Sequence, residues 1–177
     1  MTAPWVAGEA VNAQKMYDRI EARLDALDAI VLNRPIFLAR QTVAQALTTG
    51  TNTSITFTTH DTDTAGGHST VTNTSRYTCQ STGLFIVMGL VSYATNATGS
   101  RGAQFYVNGS PLSASRVLLN TSTGTGSLPA GVATMRIVSL TAGDYIELLG
   151  LQNSGGSLNT SVSGQDASMF ALYGLGA

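Results

Sequence analysis

The chain has 177 residues, with 9 Lys+Arg against 10 Asp+Glu for a net charge of -1, and only 11% of it is charged while 43% is hydrophobic. Disordered chains show the reverse balance, and a nucleic-acid or anionic-membrane binder needs a basic footprint that one lysine and eight dispersed arginines do not supply. The composition is that of one folded domain with a real core and an unusually uncharged surface, against a usual ~25% of charged residues.

The opening segment, Met1 to Glu9, lacks the basic start and apolar run of a secretory signal. The longest apolar stretch, Leu84 to Val91, falls well short of the ~20 residues of a membrane helix. The expectation is a soluble protein made in a cytoplasm, with no membrane insertion. Charge then divides the chain. Residues 1–40 carry 10 of the 19 charged residues, Gly8 is the only glycine before Gly50, and a boundary falls near Asn33-Arg34-Pro35.

From Ala13 to Leu32 the pattern predicts a helix, with Asn12 as N-cap and Pro35 ending the segment. Tyr17, Ile20, Leu24, Leu27 and Val31 follow spacings of three and four, a heptad seam of a and d positions, with Arg23 at g and Asp28 at the next e. This predicts a short coiled-coil stem over 13–34, joining copies of the chain. So few heptads are marginal alone, and a head must hold the strands of such a stem together.

Beyond Pro35 the texture is mainly β. Strands are expected at Ile36–Arg40, Thr53–Thr59, Arg76–Gln80, Leu84–Tyr93, Gln104–Val107, Arg136–Leu140, Tyr145–Leu151 and Met169–Tyr173. Asn108-Gly109 is a tight-turn dipeptide, and Thr141-Ala-Gly-Asp144 is a second turn. Short strands between recurrent turns, without a second helix, describe a sandwich or barrel. The Leu84–Val91 run does not alternate, so both faces of that strand are expected to be covered, the second by a partner subunit. Cys79, the only cysteine, excludes an intrachain disulfide and is expected to be buried.

Over residues 55–173 four motifs occur in order. They are Tyr77-Thr-Cys79-x-x-x-Gly83-x-Phe85, Val107-Asn108-Gly109, Leu140-x-x-Gly143-Asp144-x-Ile146-x-Leu148, and a closing Phe170-Ala-Leu-Tyr173. Together they resemble the C1q/TNF-like jelly roll, a two-sheet sandwich that assembles as a compact trimer. That resemblance implies a homotrimeric head at 35–177. The stretch Trp5-Val-Ala-Gly8-Glu-Ala-Val-Asn12-Ala13 resembles the opening of virion tail and fibre proteins of double-stranded DNA phages. It implies a segment, residues 1–12, that docks to other virion proteins, with Trp5 and Val6 as anchors and the virion as location. The absence of a collagen repeat separates the chain from secreted C1q proteins.

His60, Asp61, Asp63 and His68 are weak metal candidates, since imidazole and carboxylate within nine residues can ligate Zn, Mn or Ca, although the spacing fits no established site. No cofactor is expected. Catalysis lacks a nucleophile elbow or P-loop, and a polysaccharide or cell-wall hydrolase would need a carboxylate pair across a groove. The long Thr/Ser/Asn/Gly stretches at 94–101, 120–130 and 152–164 are better suited to receptor contact. Tyr93, Asn96, Arg101, Tyr106, Asn120 and Asn153 are their expected receptor residues, with the tyrosines stacking on sugars. The leading expectation is a structural phage fibre whose knob attaches to host surface glycans. Its alternatives are a capsid decoration or head fibre protein, and the hydrolase.

Overall fold

The structure, a computed structural model, describes residues 12–32, 34–120 and 129–176, with the side chains at 29–32 outside that description. Residues 1–34 and 35–177 form two separate units. In the first, helix α1 spans Ala13–Leu32 as its pattern predicts, and the Asn12 side chain accepts the Lys15 amide at 2.9 Å, which is the N-cap bond. Tyr17, Ile20, Leu24 and Leu27 are all exposed along the helix, and the Val31 side chain lies outside the described residues.

The second unit is a two-sheet sandwich. Its strands are β1 (Ile36–Arg40), β2 (Ala46–Leu47), β3 (Thr53–Ser54), β4 (Thr62–Asp63), β5 (Arg76–Thr78), β6 (Gly83–Tyr93) and β7 (Ser100–Val107). They continue with β8 (Ser110–Pro111), β9 (Val117–Asn120), β10 (Ala130–Leu140), β11 (Tyr145–Gln152), β12 (Leu158–Asn159) and β13 (Met169–Gly176). One sheet runs β10-β6-β13-β1-β4. The other is built on β3-β11-β7-β8, with β5 also on β11 and β9 also on β7, and β12 with β2 makes a small ladder.

The core is the aromatic and aliphatic layer between the sheets. Phe37, Phe57, Tyr77, Phe85, Phe105 and Phe170 are fully buried, with Phe170 set edge-on to Phe37 at 5.2 Å between ring centres. Gly89 explains the break in the apolar run of β6. It faces the core, where a Cβ would stand 2.5 Å from a Leu148 methyl, so no larger residue fits. Asn108 and Gly109 both adopt positive φ and join β7 to β8 as a two-residue hairpin, as the dipeptide predicts.

Two expectations are corrected. The Thr53–Thr59 alternation does bury Ile55 and Phe57, but only Thr53–Ser54 is strand. Thr56 is instead held by the Gln45 side chain, and Phe57 bonds the Thr74 carbonyl. The Thr141–Asp144 turn closes through the Asp144 carboxylate, yet its flanking strands lie in different sheets, so it is an inter-sheet corner rather than a hairpin. The chain itself covers one face of β6. Phe85, Val87, Val91 and Tyr93 face the core, while Leu84 and Met88 on the opposite face remain exposed within the chain.

Candidate assembly face and binding groove

Register places the uncovered side chains of β6 in rows. Opposed residues in an antiparallel ladder point to the same face. One row reads Ile137, Ile86, Tyr173 and Ile36 across β10, β6, β13 and β1. The next reads Met135, Met88, Ala171 and Leu38, and the third Ala133, Leu90, Met169 and Arg40. Met135 is 64% and Ile137 57% exposed. The single charge in these rows, Arg40, sits at the margin and pairs with Asp61 at 3.1 Å. Beside this face, edge strand β9 leaves Val117 and Leu119 partly exposed as well.

The face of the second sheet that points away from the core is of another kind. Glu147 accepts Ser75 Oγ–H at 2.7 Å and Arg76 Nε–H at 3.4 Å, and the Arg76 guanidinium lies 4.0 Å from the centre of the Tyr145 ring. Asn108 donates to Asp144 at 2.7 Å, and the Asp144 carboxylate also accepts the Thr141 amide. The backbone N–H of Thr141 and then the Asn108 amide hold Asp144 below the usual carboxylate range. Asp144 and Glu147, the carboxylates nearest to a hydrolytic pair, are thus both committed to turn and strand contacts.

The same face carries a groove. On it, Leu118 of β9, Gly102 of β7 and Leu151 of β11 form one cross-strand row. The Leu118 side chain packs over Gly102 toward Leu151, so the two leucines form one apolar wall. A Cβ there would stand 2.6 Å from a Leu118 methyl. Asn52, Ser100, Arg116 and Asn153 complete an open groove of about 450 Å³. Asn153 Oδ1 accepts both the amide and the hydroxyl of Ser100, the hydroxyl at 3.0 Å, which brings the 94–100 and 152–158 loops together. Asn52 Nδ2 donates to the Tyr106 hydroxyl at 2.9 Å.

The expected receptor residues divide accordingly. Asn153 and Asn96 are exposed, Tyr106 is half-buried beside the groove, and Asn120 is exposed at the end of β9. Tyr93 and Arg101 are not receptor residues, because both are fully buried. The Tyr93 hydroxyl lies 2.5 Å from the Gly102 carbonyl and accepts the Leu151 amide at 3.0 Å, bridging β7 and β11 from the core side. Burial pushes it up to about 12 despite those bonds. The Arg101 guanidinium donates to the carbonyls of Thr98, Ser100 and Asn96, each at 3.0 Å, and so ties the 94–100 loop from beneath. Sequence reasoning missed Gln152, which does the same for the next loop. It donates to the Leu47 and Gly156 carbonyls and accepts from Ser154. It also missed Asn52, Gly102, Arg116, Leu118 and Leu151. Their only signal is a register between strands far apart in sequence.

The metal candidates do not converge. Both ring nitrogens of His68 face backbone carbonyls, of Arg76 at 2.8 Å and Phe57 at 2.9 Å, which leaves neither for a metal. Asp63 accepts the Gly67 and His68 amides, and Asp61, exposed like His60, pairs with Arg40. Among the described residues no three His, Cys, Asp or Glu side chains are grouped to hold a metal. Cys79 is buried as expected, and burial, then the Asp144 charge, push its thiol up to about 12, far from a reactive thiolate. Trp5 and Val6 lie outside the described residues. No described helix is long and apolar enough to cross a membrane.

No protein-family model matches the chain, and no curated protein matches it. Solved structures do. Murine APRIL at pH 8.0 is similar with a TM-score of 0.60 at 12% identity, over 80% of this chain and 99% of that one. Eiger TNF from S. frugiperda is similar with a TM-score of 0.54 at 15% identity, over 80% of this chain and 91% of that one. The chain is mainly β, with a short N-terminal helix and a C1q/TNF-like jelly-roll sandwich.

Proposed function

We propose that this jelly roll is the knob of a non-enzymatic phage virion fibre, a homotrimer that attaches to host surface glycans. The observation that carries the reading is the uncovered face of Ile, Met, Leu, Ala and Tyr on β10, β6, β13 and β1. Contiguous apolar surface of this kind marks an interaction site. A second copy of the chain is the occupant that needs no further protein. The face and the β9 edge are different surfaces, so a face-to-edge contact is heterologous, and repeated about an axis it closes into a ring. Resemblance to the C1q/TNF-like heads supports three copies.

Helix α1, with its exposed heptad residues, continues the same assembly as a stem. Residues 1–12 dock to other virion proteins through Trp5 and Val6, as the resemblance to phage fibre openings implies. The glycan half of the reading is supported by the groove on the second sheet and by the Asn and Ser side chains around it. A decoration protein on the capsid would share the fold and the trimer, and location separates the two. Antibodies raised against the full chain should label purified phage particles, at the tail for an attachment fibre and on the capsid for a decoration protein. Particles without label would overturn the virion reading.

A further inference from the structure

The groove on the second sheet has a specific chemistry. The arginines elsewhere in the sandwich are largely engaged: Arg40 with Asp61, Arg76 with Glu147 and Arg101 with backbone carbonyls. Arg116 is exposed on the groove wall, and no acidic side chain lines the groove. A guanidinium is a planar fork that matches a carboxylate in two parallel hydrogen bonds. A single fork in an otherwise uncharged groove matches one carboxylate better than a phosphate dianion.

The remaining walls narrow the ligand further. The Ser100 amide must donate to the Asn153 carboxamide oxygen, which fixes that carboxamide and turns its NH2 toward an incoming acceptor. Asn52, held at its own NH2 by Tyr106, keeps its oxygen as an acceptor. Leu118, packed over Gly102, and Leu151 give the groove one apolar wall. No aromatic ring lines the groove, so flat stacking of a neutral hexose has no platform. A donor, an acceptor and an apolar wall beside a guanidinium together describe an acylamino group next to a carboxylate. The volume, about 450 Å³, lies within the usual range of small-ligand sites.

We infer that the groove between β9, β7 and β11 binds a carboxylated, N-acylated saccharide, with Arg116 on the carboxylate, Asn52 and Asn153 on the amide, and the acyl methyl against the apolar wall of Leu118 and Leu151. This deepens the glycan reading above and rests on it. Gly102 is the residue that lets Leu118 lie down on the sheet as that wall, since a Cβ there would stand 2.6 Å from its methyl.

The test uses the full chain and N-acetylneuraminic acid as probe, beside its methyl ester and neutral N-acetylglucosamine, by calorimetric titration and on an array of acidic and neutral glycans. The expected result is saturable binding of the acid. Affinity should fall about tenfold or more for the methyl ester and for Arg116→Gln, the loss of a charge-assisted pair. Gly102→Ala, checked for native circular dichroism, should weaken binding by pushing Leu118 out of the groove wall. Equal acid binding by wild type and Arg116→Gln would overturn the site. Binding confined to neutral glycans would overturn it while leaving the glycan reading intact. No binding to any glycan would overturn both.

Discussion

The two sheets of the sandwich present opposite outer faces, although they share one core. On the second sheet, polar side chains are locked pairwise: Glu147 with Ser75 and Arg76, Asn108 with Asp144, and Asn52 with Tyr106. On the first sheet the corresponding rows are aliphatic, with Arg40 at one margin. A face meant for water carries such polar networks, whereas a face meant for a partner carries methyl groups. The low overall charge is therefore unevenly distributed. Much of it reflects one sheet face that has no use for charge.

The largest expected effect comes from making the first face resemble the second. Met135→Glu with Ile137→Glu should dissociate the proposed trimer completely, because a carboxylate buried without a partner costs several kcal/mol. Both residues are exposed in the single chain, so circular dichroism should stay native while sedimentation reports a chain of 18.3 kDa.

A second, smaller effect separates core supports from displayed loops. Arg101→Met removes the donors to three loop carbonyls and should cost about 1–3 kcal/mol for the group left unsatisfied, read by urea unfolding of the monomeric double variant. If Arg101 were a displayed receptor residue, that substitution would leave stability unchanged. The stem comes next. Leu24→Asp with Leu27→Asp should weaken trimer association only modestly, because the head carries assembly, and complete dissociation at micromolar concentration would contradict this.

The smallest effect lies at the polar corner of the second face. The folded chain holds Asp144 below its ordinary range, so it binds that proton more weakly than the unfolded chain does. Asp144 therefore contributes stability above a pH of about 4, and the contribution is lost as the pH falls through the folded value. The stability gap between wild type and Asp144→Asn should be present at neutral pH and close below that range. A gap that widens in acid would contradict the sign.

Local chemistry was legible in the sequence. The Asn12 cap, the helix to Leu32, the Asn108-Gly109 turn, the buried Cys79 and the turn role of Asp144 each depend on a few neighbouring residues. The limits of β10, which begins at Ala130, and the existence of β9 were not legible, because Gly131, Ala133 and Thr134 carry little strand signal alone. Tyr93 and Arg101 read as loop residues because they flank a Thr/Asn/Gly stretch. Inward strand alternation instead carries both side chains into the sandwich. The cluster from His60 to His68 read as ligands because polar spacing does not reveal that Phe57 and Arg76 already supply partners. The groove was the least legible feature, since Leu118, Gly102 and Leu151 meet only through the pairing of three strands.

The central claim is that the aliphatic face of the first sheet is covered by copies of the same chain. Light scattering of the purified full chain, coupled to size exclusion, measures this directly. The account predicts a single species of three times the 18.3 kDa chain mass that persists on dilution to micromolar concentration. A monomer under those conditions, with the face left open to water, would contradict it.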